Sequence, residues 1–181
     1  HPGASRLSHR WSLSHFAKLA DRLIEQFPVK IVITGNKQER YLAGSLARRM
    51  KAPSLIATGE WSLGDLTSCL KRCRLFITND TGPMHIANAL NIPMIVISGN
   101  SPSAFLPYKK DNVIILRKES KKRSPFNDLS CLNSISCDEV LRAVETFLKS
   151  DLKSVAAIKQ NQSEPIKVLH VHTRAVIGGS G

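Results

Sequence analysis

Leu75-Phe76-Ile77-Thr78-Asn79-Asp80-Thr81-Gly82-Pro83-Met84-His85-Ile86-Ala87-Asn88-Ala89-Leu90 decides the fold of this chain. Leu75, Phe76 and Ile77 are apolar and β-prone, so they read as a buried strand. Asn79, Asp80 and Thr81 are all good N-cap types, Gly82 frees the turn, and Pro83 suits a first helical position. Ile86, Ala87, Ala89 and Leu90 then recur at helical spacing. The pattern predicts strand, polar turn, helix. Amide groups from Gly82 onward would point over the strand end, with the positive end of the helix dipole behind them, which is a ready anion site. An ordinary, well-capped strand-turn-helix corner satisfies the same residues.

Outward from this stretch, apolar segments alternate between the two periods. Ser12 or Ser14 can cap a helix running to about Phe27, with Phe16, Leu19, Leu23 and Ile24 as its stripe. Residues 29–34 form a continuous apolar run, as in a strand covered on both faces, and Gly35 breaks it. Residues 37–50 read as a helix with Leu42, Leu46 and Ala47 inward. Residues 55–57 make a short strand. Ser62 with Asp65 opens a helix that packs Leu63, Leu66 and Leu70. After the central stretch come strands at 93–98 and 113–116. Ser136 with Glu139 forms a capping box for a helix over 137–149. Strands alternating with helices predict an α/β fold with a doubly wound parallel sheet. Ligands on such sheets sit at the carboxyl ends of the strands, which here brings the loops 35–39, 79–82 and 98–101 to one side.

The chain has 181 residues, 42% of them of hydrophobic type, enough for one domain with a real core. No apolar run approaches the ~20 residues of a membrane-spanning helix. The net charge is +12, from 26 basic and 14 acidic residues, which points to an anionic partner. The densest basic block is 117–123; aromatic residues are not interleaved with it, which weakens nucleic-acid binding, and a non-catalytic nucleotide- or nucleic-acid-binding α/β domain stands as the alternative function. Cys69, Cys73, Cys131 and Cys137 show no CxxC spacing, so reduced thiols rather than a zinc site are expected. The opening His1-Pro2-Gly3 suggests a segment of a larger protein. Residues 1–150 are expected to form one domain, 151–165 a polar linker, and 166–181 the first strand and glycine-rich loop of a following domain.

The run His1-Pro2-Gly3-Ala4-Ser5, Arg10-Trp11, Gly35 with Glu39, and Thr78-Asn79-Asp80-Thr81-Gly82-Pro83-Met84-His85-Ile86-Ala87 resembles glycosyltransferase family 9, the heptosyltransferases of lipopolysaccharide assembly. The resemblance covers residues 1–150 and implies the carboxyl-terminal, Rossmann-like half of a GT-B enzyme. It implies a nucleotide diphosphate sugar as donor, a lipid-linked saccharide as acceptor, and no metal ion or other cofactor. No Asp-x-Asp metal motif is present. The resemblance further implies that the turn Asp80-Thr81-Gly82 holds the diphosphate, with His85 nearby, and that Glu39 takes the ribose hydroxyls. Ser5, His9, Arg10 and Gly35 complete the implied binding set. His9 stands where the family usually carries a lysine. A general base is expected from a preceding amino-terminal half. The cytoplasm, with peripheral contact to the anionic inner face of the inner membrane, is the expected location. Lys167-Val168-Leu169-His170-Val171 followed by Ile177-Gly178-Gly179-Ser180-Gly181 resembles the opening of glycosyltransferase family 4, which would make the parent a fusion of two transferases.

Overall fold

The structure is a computed structural model; it describes residues 4, 7–59, 61–99, 101–109, 111–118, 129–158 and 168–172. For residues 7, 129–130, 149–158 and 168–172 it describes the backbone. In chain order the elements are a 3-10 turn Leu7–His9, α1 (Leu13–Gln26), β1 (Lys30–Asn36), a 3-10 turn Lys37–Glu39, α2 (Arg40–Ala47), β2 (Ser54–Gly59), α3 (Leu63–Lys71), β3 (Cys73–Asn79), α4 (Gly82–Ala89), β4 (Met94–Ser98), a 3-10 turn Ser103–Phe105, β5 (Val113–Arg117), α5 (Leu129–Asn133), α6 (Cys137–Ile158) and β6 (Val168–His172).

The six strands form one sheet in the order β2-β1-β6-β3-β4-β5, and every pairing between neighbours is parallel. Strand alternation divides the core between the two faces. Leu75 and Ile77 of β3, Ile95 and Ile97 of β4 and Ile31 and Ile33 of β1 pack against Phe16, Leu19 and Leu23 of α1, Leu46 of α2 and Val140 and Val144 of α6. Phe76 of β3 and Met94 and Val96 of β4 turn the other way, onto Leu66 and Leu70 of α3 and Met84 and Ala87 of α4. Helices therefore cover both faces, as the doubly wound pattern predicts.

Local capping chemistry sets the helix starts. The Ser12 hydroxyl accepts from the Ser14 amide at the head of α1. Ser62 and Asp65 form a reciprocal capping box on α3. Ser136 and Glu139 do the same at α6: the Ser136 amide donates to Glu139 Oε2 at 2.8 Å, and the Glu139 amide donates to Ser136 Oγ at 3.2 Å.

Four expectations are corrected. Gly35 lies inside β1 and does not end it, because β2 continues to Gly59 alongside and the ladder holds Gly35 opposite Thr58. The long helix expected over 37–50 is a 3-10 turn followed by the eight-residue α2, and its buried face is Ala43, Ser45 and Leu46. Leu63 is exposed: it is the first residue of α3, ahead of the turn that meets the sheet. The segment expected as a linker from 151 continues α6 to Ile158.

The largest difference concerns Val168–His172. It is expected to begin a separate domain; here β6 is a central strand, parallel to β1 on one side and to β3 on the other. Its short apolar pattern suits an interior position, where both backbone edges find partners that an isolated strand would leave unpaired. Residues 173–181, with the glycine-rich loop, lie outside the described residues, as does most of the basic block 117–123.

Candidate functional site

In chain order β1 and β2 are laid down to one side and β3, β4 and β5 to the other, so the sheet's direction switches between β1 and β3. The carboxyl ends of these strands carry the predicted site residues. β3 ends at the fully buried Asn79, and α4 starts at Gly82 with Thr81 as N-cap. Thr81 makes no side-chain cap bond; its hydroxyl lies 3.4 Å from Asn79 O and 3.4 Å from Thr78 Oγ1. Pro83 has no N–H, and the Met84 amide donates to Thr81 O at 2.9 Å. The amides of Thr81 and Gly82 are therefore the ones this turn can aim at an anion, with the helix starting at Gly82 rather than at Pro83. His85 is exposed on the first turn of α4.

Asp80 lies beneath this turn. Its side chain is 2% exposed. Ser98 Oγ, at the end of β4, donates to Asp80 Oδ2 at 3.0 Å. His9 Nδ1, on the first 3-10 turn, stands 3.6 Å from Asp80 Oδ1 and 3.4 Å from Ser101 Oγ. The loops after β3 and β4 thus meet at one point, and the amino-terminal segment closes over it. Trp11 holds that segment down: its ring N–H donates to Ile135 O at 2.8 Å and its amide donates to Asn79 Oδ1 at 3.3 Å. Gly99 leaves room for Leu132 at the end of β4, since a Cβ at that position would come within 2.9 Å of Leu132 Cδ1.

The other predicted residues are placed differently. Arg10 donates through Nε and Nη2 to Ala4 O at 3.0 and 2.7 Å, so its guanidinium ties down its own loop. Ser5 lies outside the described residues. Glu39 closes a capping box with Asn36 at the end of β1, where Glu39 Oε2 accepts from the Asn36 amide at 3.0 Å and Asn36 Oδ1 accepts from the Glu39 amide at 3.0 Å. With β6 between them, β1 and β3 run two strand spacings, about 10 Å, apart; Glu39 follows the end of β1 and the Asp80 turn follows the end of β3. Gly35 belongs to the ladder. Sequence reasoning overlooks Ser98 and Ser101 as individual site residues. The available signal is that Ser98 ends an otherwise apolar buried strand, where a hydroxyl must find a partner.

Among the described residues no group of three or more His, Cys, Asp or Glu side chains could hold a metal ion, and no helix is long and apolar enough to cross a membrane.

Comparison with known proteins gives the family and the fold. A sequence profile of glycosyltransferase family 9 (heptosyltransferase) matches residues 1–134. The lipooligosaccharide heptosyltransferase 2 of Haemophilus ducreyi is 35% identical over 113 residues, covering 59% of this chain and 32% of that protein. The lipooligosaccharide heptosyltransferase 2 of Campylobacter jejuni is 26% identical over 162 residues, covering 82% of this chain and 50% of its own length. The crystal structure of a family 9 glycosyl transferase from Veillonella parvula superposes with a TM-score of 0.73 at 28% identity, over 83% of this chain and 45% of that one. The Escherichia coli heptosyltransferase II shares the fold, with a TM-score of 0.71 at 24% identity. The chain spans about a third to a half of the length of these two lipooligosaccharide heptosyltransferases. With its profile matched over residues 1–134 and its parallel sheet shared with solved members, the chain belongs to glycosyltransferase family 9.

Proposed function

We propose that this chain is the donor-binding half of a glycosyltransferase that moves a heptose-like sugar from a nucleotide diphosphate sugar to a lipopolysaccharide-type saccharide acceptor. One observation carries the reading: the turn Asp80-Thr81-Gly82 stands at the carboxyl end of β3, beside the switch in strand direction, with α4 starting at Gly82. As the glycosidic bond breaks, negative charge gathers on the departing nucleoside diphosphate. The Thr81 and Gly82 amides, the Thr81 hydroxyl and the dipole of α4 stabilise that charge without a metal ion. His85 lies at the mouth of the turn, and Glu39 accepts the ribose hydroxyls, with Gly35 in the strand beneath it. Ser5 and Arg10 belong to the amino-terminal loop that closes over the donor.

The protein works in the cytoplasm, against the inner face of the membrane that holds its acceptor. The net charge of +12 supports attraction to anionic headgroups. The segment after β4 also carries Phe105 and Tyr108, 63% and 94% exposed, beside Lys109. Its place is set by Asn88, which donates to Lys109 O at 2.7 Å and accepts from the Lys109 amide at 3.1 Å.

The test is calorimetric titration with ADP-heptose, the donor named for the E. coli heptosyltransferase II. Binding that persists in EDTA is expected. Gly82→Val adds bulk at the exposed start of α4 and is expected to weaken binding at least about tenfold with Tm nearly unchanged, as the loss of one charge-assisted contact implies. Equal affinity of the variant would overturn the role of the turn.

A further inference from the structure

Cys69 and Cys73 meet at the junction of α3 and β3, at the opposite end of β3 from the donor turn. Arg72, the C-cap of α3, keeps right-handed helical dihedrals, and its amide donates to Cys69 O at 3.0 Å. The backbone therefore makes one full helical turn from Cys69 to Cys73. That turn sets the two Cα atoms about 6 Å apart, inside the range a disulfide bridges. The side chains converge as well. The Cys73 thiol donates to Cys69 O at 3.2 Å and stands within hydrogen-bond reach of the Cys69 thiol.

The two thiols differ in access and in charge. Cys69 is half-buried and Cys73 is buried, so a soluble reagent reaches Cys69 first. The hydrogen bond from Cys73 brings the Cys69 thiol below its ordinary value, against the opposing effect of burial and with help from the Arg72 charge. A thiolate is the reactive form of cysteine. The same bond, then burial, then charge on Cys69 push Cys73 up, so Cys73 stays a thiol while Cys69 carries the charge. The remaining cysteines are buried on other elements. Cys131 lies in α5 with its thiol donating to Lys118 O, and Cys137 heads α6, where burial pushes its thiol up.

We propose that Cys69 and Cys73 form a reversible oxidation site: Cys69 attacks a small-molecule disulfide of the glutathione type, and Cys73 then closes an intramolecular disulfide. In the first step the Cys69 thiolate bonds to one sulfur of the small disulfide. Its S–S bond breaks, and one small thiolate leaves. In the second step Cys73 gives its proton to solvent, bonds to Cys69 Sγ and expels the other small thiolate. Both departing thiolates take up protons. Two protein thiols are thus oxidised by two electrons in all, and one small disulfide is reduced to two thiols. The steps favour each other in this order, because the mixed disulfide is neutral and removes the Cys69 charge that keeps Cys73 protonated. Closure ties the last turn of α3 to the first residue of β3, the strand whose far end carries the Asp80-Thr81-Gly82 turn.

The experiment incubates the full chain in glutathione mixtures of rising disulfide fraction, quenches in acid, alkylates the remaining thiols and digests with trypsin. Lys71 and Arg72 lie between the two cysteines, so the disulfide joins two tryptic peptides that are otherwise separate. The joined pair is expected in the wild-type chain and is expected to vanish on treatment with dithiothreitol. Cys69 is expected to react at least about tenfold faster than Cys131 and Cys137, as its access and thiolate character imply. Cys73→Ala is expected to stop at the mixed disulfide on Cys69, and Cys69→Ala to lose both products. The wild-type peptide map decides the matter even where the variant at the buried Cys73 fails to fold. A wild-type chain that holds only the mixed disulfide, a reaction at Cys131 or Cys137 ahead of Cys69, or no reaction in the most oxidising mixture overturns the proposal.

Discussion

The amide of Trp11 donates to the side-chain oxygen of Asn79 across 68 positions of sequence. This bond fixes the amino-terminal segment to the end of β3, and with it sets His9 beside Asp80. Asn79→Ala removes the acceptor in a fully buried place and leaves the Trp11 amide unpaired. The expected cost is about 1–3 kcal/mol in denaturant unfolding. Unchanged stability would show that the segment is held without this bond, by contacts such as that of the Trp11 ring with Ile135 O.

Glu39→Gln separates two duties of one side chain. The Gln carbonyl oxygen can still accept from the Asn36 amide, so the cap on the 3-10 turn is retained. The charge that would accept ribose hydroxyls is gone. Affinity for a ribonucleoside diphosphate sugar is expected to fall about tenfold, the loss typical of a hydrogen bond to a charged group, while affinity for the 2′-deoxy analogue stays near its own wild-type value. Equal losses for both ligands would rule out the ribose contact.

Glu139 predicts an acid-side effect on stability. The Lys118 ammonium, 2.8 Å from Oε1, together with the Ser136 amide and hydroxyl, brings its carboxyl down from 4.5 to about 2. A lowered folded-state value stabilises the ionised form, so the contribution is complete above about 4.5 and disappears as pH falls towards about 2. Glu139→Gln is therefore expected to lower Tm by a few degrees at pH 7, and the gap to wild type should close between pH 4.5 and pH 2. A gap that stays constant down to pH 2 would mean that the cap, not the charge, supplies the stability.

His170→Pro tests the centre of the sheet. His170 is paired with Val32 of β1 on one side and Phe76 of β3 on the other. Proline removes the backbone N–H there and is excluded from interior strands, with an expected cost of about 3 kcal/mol or more. Wild-type melting of this variant would remove β6 from the cooperative unit and restore the expectation of an independent segment.

Much of this fold is legible locally because the deciding interactions are local. Ser62 with Asp65 and Ser136 with Glu139 are three residues apart and find each other in the structure as the sequence suggests. The apolar runs that hold Leu75 to Ile77 and Met94 to Ile97 are too continuous for a half-exposed sheet, which points to helices on both faces. The misread positions depend on partners far away in sequence. Gly35 looks like a strand end until Thr58 is seen opposite it. Residues 151–158 look like a linker by polarity, yet continue the helix begun at Cys137. Strand order has no local signature, so nothing near Val168 announces that β1 and β3 flank it. The same holds in the site: Asp80 is visible as a turn residue, but its two contacts, Ser98 and His9, come from other loops.

The position of β6 has a kinetic consequence. The pairs β1–β2 and β3–β4–β5 join strands that follow one another in the chain, so each group can assemble as soon as it is synthesised. In the finished ladder, the two groups meet through a strand that begins at Val168, more than 130 residues after β1 begins at Lys30. Long-range parallel pairing of this kind raises contact order and slows folding. Until β6 pairs, β1 and β3 each have one edge without its partner strand. Open edges are templates for pairing with other chains. Pairing of β6 is therefore the step that closes both inner edges of the sheet.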